Sequence, residues 1–273
     1  MPNETQARSM AEAFASESKQ KLDSIYQIFQ EEVALPSGGL LYESKTEKVT
    51  IKPITAREED FLTNPTLIKS GKAFDMLIDK CVINWNGLTH QDLLAGDKTA
   101  IYMAIRILSY GPKYKVDVMC PSCNEINNLN LDLRSFGAKS FGNAPKTEGK
   151  NVFLFETEAG YEIEFKLLKA IDLDNINNLG KKKKRRNTSY IEDVLLAAII
   201  SLKANNITIV DRLELKTIIS RMPHSEYAPF LSYIEKIKPD IDMNKELECE
   251  HCSEIIKTNV PITAEFFWPA TDR

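Results

Sequence analysis

Cys120-Pro121-Ser122-Cys123-Asn124-Glu125-Ile126 and Cys249-Glu250-His251-Cys252-Ser253-Glu254-Ile255 state one idea twice. Two residues between cysteines let a tight turn aim both sulfurs at one point. Two such turns make a four-thiolate tetrahedron, the ligand set that suits zinc. The expectation is one structural zinc ion per chain, held by Cys120, Cys123, Cys249 and Cys252, tying the middle of the chain to its end. Unliganded core thiols and a thioredoxin-like redox pair are the alternatives. The redox reading needs Cys-x-x-Cys at the start of a helix. Here Val116 and Val118 alternate with polar residues before the first pair, and Leu129, Leu131 and Leu133 after it. Leu247 precedes the second pair, and Ile256, Thr258, Val260 and Ile262 alternate after it. A period of two reads as a strand with one buried face, so each pair is expected on the turn of a hairpin. Cys81, in an apolar run with Val82 and Ile83, reads as a buried core thiol.

Working outward, the 273 residues can hold one large domain or two small ones. A net charge of −4 gives no global electrostatic case for nucleic acid. Four of the five cysteines standing in Cys-x-x-Cys form suggest a reducing compartment. No signal-peptide core and no run of membrane-spanning length occurs, so a soluble protein made in a cytoplasm is expected.

Helical spacing of Ala11, Phe14, Leu22, Ile25, Ile28, Phe29 and Val33 predicts an amphipathic helix over 3–33, docked on the body or on a partner. Leu35-Pro36-Ser37-Gly38-Gly39 breaks it, and Leu40, Leu41 and Tyr42 anchor the chain after the turn. Val49 and Ile51 predict a strand. Thr55 with Glu58 then reads as a capping box opening an acidic helix. Further helices are expected from about Ala73 to Ile83 and from Asp97 to Tyr110, the latter stopped by Gly111-Pro112.

After a Gly-rich stretch the plan restarts. Tyr161, Ile163, Phe165 and Leu167 alternate, and Lys166 to Asp174 repeats the Lys, Ala and acid offsets of Lys52 to Asp60. Helices are expected from Tyr190 to Leu202, Asp211 to Met222 and Ser225 to Ile237. The fold class is therefore α+β, with two pseudo-repeated halves (strand, helices, Cys-x-x-Cys β-hairpin) joined by a shared four-Cys, zinc-ribbon-like site. The divisions are an N-terminal amphipathic tail over 1–34, a first half over 35–139, a linker over 140–150 and a second half over 151–273. Phe266, Phe267 and Trp268 need burial, against the hairpins or against another subunit.

Lys181, Lys182, Lys183, Lys184, Arg185 and Arg186 cannot be buried together and read as a solvated loop, open to an acidic partner or a phosphate backbone. Of the three histidines, His251 occupies an x position that points away from a metal. No phosphate loop, nucleophile elbow or His-Glu-x-x-His motif occurs. A closed four-Cys site keeps no open position for substrate. The chain reads as non-enzymatic.

Several pieces together resemble a known family. Leu35-Pro36-Ser37-Gly38-Gly39-Leu40-Leu41-Tyr42 and Pro53-Ile54-Thr55-Ala56-Arg57-Glu58-Glu59-Asp60 are similar to the opening of T-even-type bacteriophage baseplate proteins. Gly111-Pro112-Lys113-Tyr114 leading to the first Cys pair, and the second pair followed by Phe266-Phe267-Trp268-Pro269, fit as well. The resemblance implies a baseplate hub subunit or hub assembly chaperone, made in the cytoplasm of the infected host or retained in the virion. Its partners would be other hub and tail proteins, met by Leu40, Leu41, Tyr42 and the six cations of 181–186. A zinc-ribbon nucleic-acid binder and a thiol redox protein are the competing readings.

Overall fold

The computed structural model describes Phe14, Ser16, Glu17, Lys21 and residues 29–267, except 140, 142–144, 148, 183–189 and 206. In the first half, β1 (Glu31–Ala34), β2 (Lys48–Ile51) and β3 (Val82–Asn84) form an antiparallel sheet in that order. Between β2 and β3 the chain makes α1 (Ala56–Thr63), α2 (Pro65–Ser70) and α3 (Lys72–Cys81). Then α4 (Ala95–Tyr110) leads into the hairpin of β4 (Lys113–Met119) and β5 (Ile126–Asp132). In the second half, β6 (Phe153–Glu156), β7 (Glu162–Phe165), β8 (Ile199–Ala204) and β9 (Ile207–Ile209) form a sheet in chain order. The helices α5 (Ala170–Lys182) and α6 (Tyr190–Ala198) connect β7 to β8. Next come α7 (Arg212–Ile219), α8 (His224–Ile237) and the hairpin of β10 (Asn244–Glu248) and β11 (Ile255–Asn259).

The repeat holds at the level of single hydrogen bonds. Lys52 N–H donates to Cys81 O at 2.8 Å, and Lys166 N–H to Ala198 O at 2.9 Å. Lys52 Nζ lies 3.1 Å from Glu58 Oε1, and Lys166 Nζ 3.1 Å from Asp172 Oδ2. Each acid also accepts a backbone N–H three residues back, from Thr55 and from Lys169, both at 3.0 Å. That bond satisfies a donor the helix start would otherwise orphan. Both sheets slip register at the same place, between Thr50 and Ile51 and between Glu164 and Phe165.

Several boundaries correct the reading of periodicity. The helix expected over 3–33 does not reach its end, because Glu31–Ala34 is β1, paired with β2. Phe14, Ser16, Glu17 and Lys21 are helical and exposed; the rest of the expected helix before residue 29 lies outside the described residues. The helix expected from Tyr190 to Leu202 stops at Ala198, and Ile199–Ala204 is strand β8. Likewise α3 stops at Cys81 and the chain continues as β3. In both halves an apolar run serves first one face of a helix and then a sheet, and pairing with β2 or β7 decides the switch. Leu41 and Tyr42 are buried in the core, so they offer no partner surface; only Leu40 is exposed. Of the six cations, Lys181 and Lys182 end α5 rather than lying in a loop; 183–186 lie outside the described residues.

The two halves share one core. Ala170 N–H donates to Leu93 O at 2.8 Å, and Leu94 and Lys169 form a β-bridge. Gly96 lets the backbones close at the seam: a Cβ there would stand 2.0 Å from Pro239 O. The C-terminal turn of Glu265–Phe267 crosses onto the first half, where Phe266 packs by Tyr114 and Phe267 by Tyr102 and Phe74. Arg106, buried in α4, locks this turn by donating from Nε to Phe266 O at 2.8 Å and from Nη1 to Gly111 O at 2.9 Å. Trp268 lies outside the described residues.

Candidate metal centre

Each Cys pair sits on the turn of its hairpin, and the two turns are built alike. Cys120 N–H donates to Glu125 O and Asn124 N–H to Cys120 O, at 2.9 and 3.0 Å. Cys249 N–H donates to Glu254 O and Ser253 N–H to Cys249 O, both at 2.9 Å. Asn124 and Ser253 hold φ of 60° and 59°, the left-handed turn that reverses the chain after the second cysteine. Asn tolerates this region well and Ser less so.

The four sulfurs all lie within 4.8 Å of one another. Cys120 Sγ is 3.7 Å from Cys252 Sγ, and Cys123 Sγ is 3.7 Å from Cys249 Sγ. Zinc–sulfur bonds of about 2.3 Å in a tetrahedron require a sulfur–sulfur edge of about 3.8 Å. A disulfide requires about 2.05 Å, and all four cysteines are free thiols. The spacing therefore fits a four-thiolate metal site. Neither pair opens a helix: β5 follows the first and β11 the second.

Cys120 and Cys249 are buried, and Ile256, Val118 and Cys123 close a small apolar cluster around them. Cys123 is half-buried and Cys252 exposed, so the site lies at the surface end of the hairpins. Burial pushes the Cys249 thiol up, but the backbone N–H groups of His251 and Cys252 and the Asn127 amide outweigh it and hold the thiol at about 6. Cys252 is pushed up to about 12, where burial and the other three sulfurs overcome a backbone hydrogen bond from Glu254. One thiolate at the centre raises the cost of the next, and a divalent cation removes that repulsion.

Asn127 is the residue that periodicity missed. It is fully buried, and its Oδ1 accepts Glu250 N–H at 2.8 Å while Nδ2 donates to Glu125 O at 3.3 Å. It stitches the first turn to the second, outside the sulfur shell. A signal was present, since the matching place in the second hairpin is the apolar Ile256. His251 is exposed and outside the cluster. Among the described residues, these cysteines are the one group of three or more His, Cys, Asp or Glu side chains placed to share an ion. No described helix is long and apolar enough to cross a membrane.

Compared with known proteins, residues 28–268 match the family described as T4 bacteriophage base plate protein. No curated protein matches the chain, and no solved structure does.

Proposed function

Because the chain belongs to the T4 bacteriophage base plate protein family, we propose that it acts in the baseplate hub, as a hub subunit or a hub assembly chaperone, by protein–protein contact and without catalysis. Family membership supports partners among phage tail and baseplate proteins. The four-thiolate cluster carries the finer reading. Cys120, Cys123, Cys249 and Cys252 would hold one zinc ion, and four protein sulfurs complete its tetrahedron. Bound there, zinc supplies structural cross-linking. The chain's own part is to hold both turns at the right distance, through the hairpin registers and the Asn127 stitch.

A rigid, stapled body presents contacts outside its core. Leu40 and the N-terminal segment, where Phe14 is 74% exposed, are the candidates, together with the six cations of 181–186. The test is complementation of a phage lacking this gene by the full chain and by a chain lacking residues 1–28, which leaves β1 intact. The expected result is that the truncated protein folds but yields few assembled hubs. Hub assembly at the full-length level would remove the N-terminal segment from the account. Mass spectrometry of purified virions separates the two roles: stoichiometric retention marks a hub subunit, and loss marks a chaperone.

A further inference from the structure

A cleft of about 340 Å³ lies on the seam between the halves, away from the cysteines, where α3, α4 and α5 meet. Asp75, Lys98, Tyr102 and Asp174 are among its polar lining residues, with Thr99 and Asn177, and Phe74 and Leu173 are among its apolar ones. Lys98 Nζ stands 2.8 Å from Asp75 Oδ1 and 3.8 Å from Asp174 Oδ2, so its ammonium is committed to Asp75. Nearby Asp79 is taken by His90 Nδ1 at 2.7 Å. One lysine facing two carboxylates leaves a negative charge on half-exposed Asp174. Tyr102 is only 7% exposed, yet its hydroxyl has no hydrogen-bond partner among the described residues. Burial first, then the charges of Asp75 and Asp174, push its ionisation upward, so it stays a neutral phenol with oxygen lone pairs to offer.

We infer that this cleft is a cation-binding site for one guanidinium or alkylammonium group on an apolar stem. Asp174 accepts one N–H from the ligand and the Tyr102 oxygen a second, while the stem lies against Phe74 and Leu173. A guanidinium fits best, because its fork of donors reaches two acceptors at once. A bare divalent ion fits worse, because the Lys98 ammonium already occupies the carboxylate side. The cation can come from an arginine or lysine of another tail protein or from a free polyamine.

Isothermal titration of the full chain at low salt tests this with agmatine, putrescine and a capped Ala-Arg-Ala peptide, with butylurea as the neutral match. The expected result is saturable one-to-one agmatine binding, weakened tenfold or more in Asp174→Asn and at least several-fold in Tyr102→Phe. Peptide binding as tight as agmatine identifies a protein side chain as the source; putrescine binding tighter than both identifies a polyamine. Butylurea binding equal to agmatine, no saturation, or unchanged affinity in Asp174→Asn overturns the site. Asp174 is half-exposed, so that variant decides the matter even if Tyr102→Phe disturbs packing.

Discussion

The two halves of the chain use one scaffold and hold it together by different chemistry. In the first half the interior contains Glu58, Asp97, Arg106 and Asn127, all buried and all hydrogen-bonded. Among the described residues, the second half buries no carboxylate, lysine or arginine side chain to that degree. Its centre is aromatic: Phe230 lies 5.0 Å from Phe165 and 5.4 Å from Phe155, ring to ring, and Phe153 stacks on Phe165 at 5.5 Å. The place held by Ile51 in one sheet is held by Phe165 in the other. A repeated backbone plan thus fixes where strands and helix starts go, and leaves open whether the middle is closed by polar pairing or by ring packing. The consequence is a difference in how each half fails. Losses in the second half should track volume, and losses in the first should track donors, acceptors and pH.

The largest single effect is expected in the aromatic half. Phe230→Ala leaves a cavity against the rings of Phe155 and Phe165 and should cost about 4 kcal/mol in urea unfolding, equally at pH 5 and pH 7. A strong pH dependence of that loss would blur the contrast between the halves. In the polar half, Arg106→Met removes the donors serving Phe266 O and Gly111 O and should cost about 2–3 kcal/mol. Lysine at this position should rescue little, since one ammonium cannot reproduce the guanidinium fork. Full rescue by Arg106→Lys would show that charge alone is what α4 needs there.

Asp97 makes the stability of the polar half depend on pH. It is fully buried, accepts Ser37 N–H at 2.9 Å and the Tyr42 hydroxyl, and burial raises it above the usual carboxylate range despite those bonds. A raised folded-state pKa means that the native state binds its proton more tightly than the unfolded chain does. The contribution to stability is then fully present below the unfolded value of about 3.9 and is lost as pH rises through the folded value. Asp97→Asn should therefore flatten the fall in stability on going from about pH 4 toward neutrality. Parallel wild-type and variant curves over that interval would contradict the assignment.

The smallest effect compares the two equivalent helix starts. Glu58 is nearly inaccessible, whereas the side chain of Asp172 is 22% exposed. Burial alone would raise Glu58, but Thr55 and Lys52 outweigh it and hold it below its usual range. Its stabilisation is present above the unfolded pKa and fades as pH falls through the folded one. Glu58→Gln should cost about 1–2 kcal/mol at pH 7 and Asp172→Asn under about 1 kcal/mol. Equal costs would mean that burial does not distinguish the two turns.

Much of this architecture was legible because it is local. Cys-x-x-Cys with alternating flanks specifies a hairpin turn, and Thr55 with Glu58 specifies a helix start, each within a few residues. The pseudo-repeat was legible at those points because the same short patterns recur. The switches at Cys81 and Ala198 were not, because apolar runs satisfy a helix face and a buried strand equally, and only the partner strand decides. The start of β1 was hidden for the same reason: Val33 continues a helical spacing, yet pairs with Val49. Tyr42 looked like a surface anchor because nothing near it in sequence announces Asp97, its partner across the core. Asn127 and Arg106 were hidden because each has a partner on the other half of the chain: Glu250 N–H donates to the Asn127 amide oxygen, and Phe266 O accepts from Arg106.

If two distant turns share one ion, the metal content of the purified protein must show it. Elemental analysis of protein purified without metal-affinity resin should find about one zinc per chain. That zinc should be lost in Cys120→Ser and equally in Cys249→Ser, with a large fall in thermal stability, since a structural ion contributes folding free energy. Asn127→Leu should keep the zinc but release it faster to a chelator. Two zinc ions per chain, or zinc retained after loss of either pair, would contradict a shared site. Metal-free protein with freely alkylated thiols would contradict the staple itself.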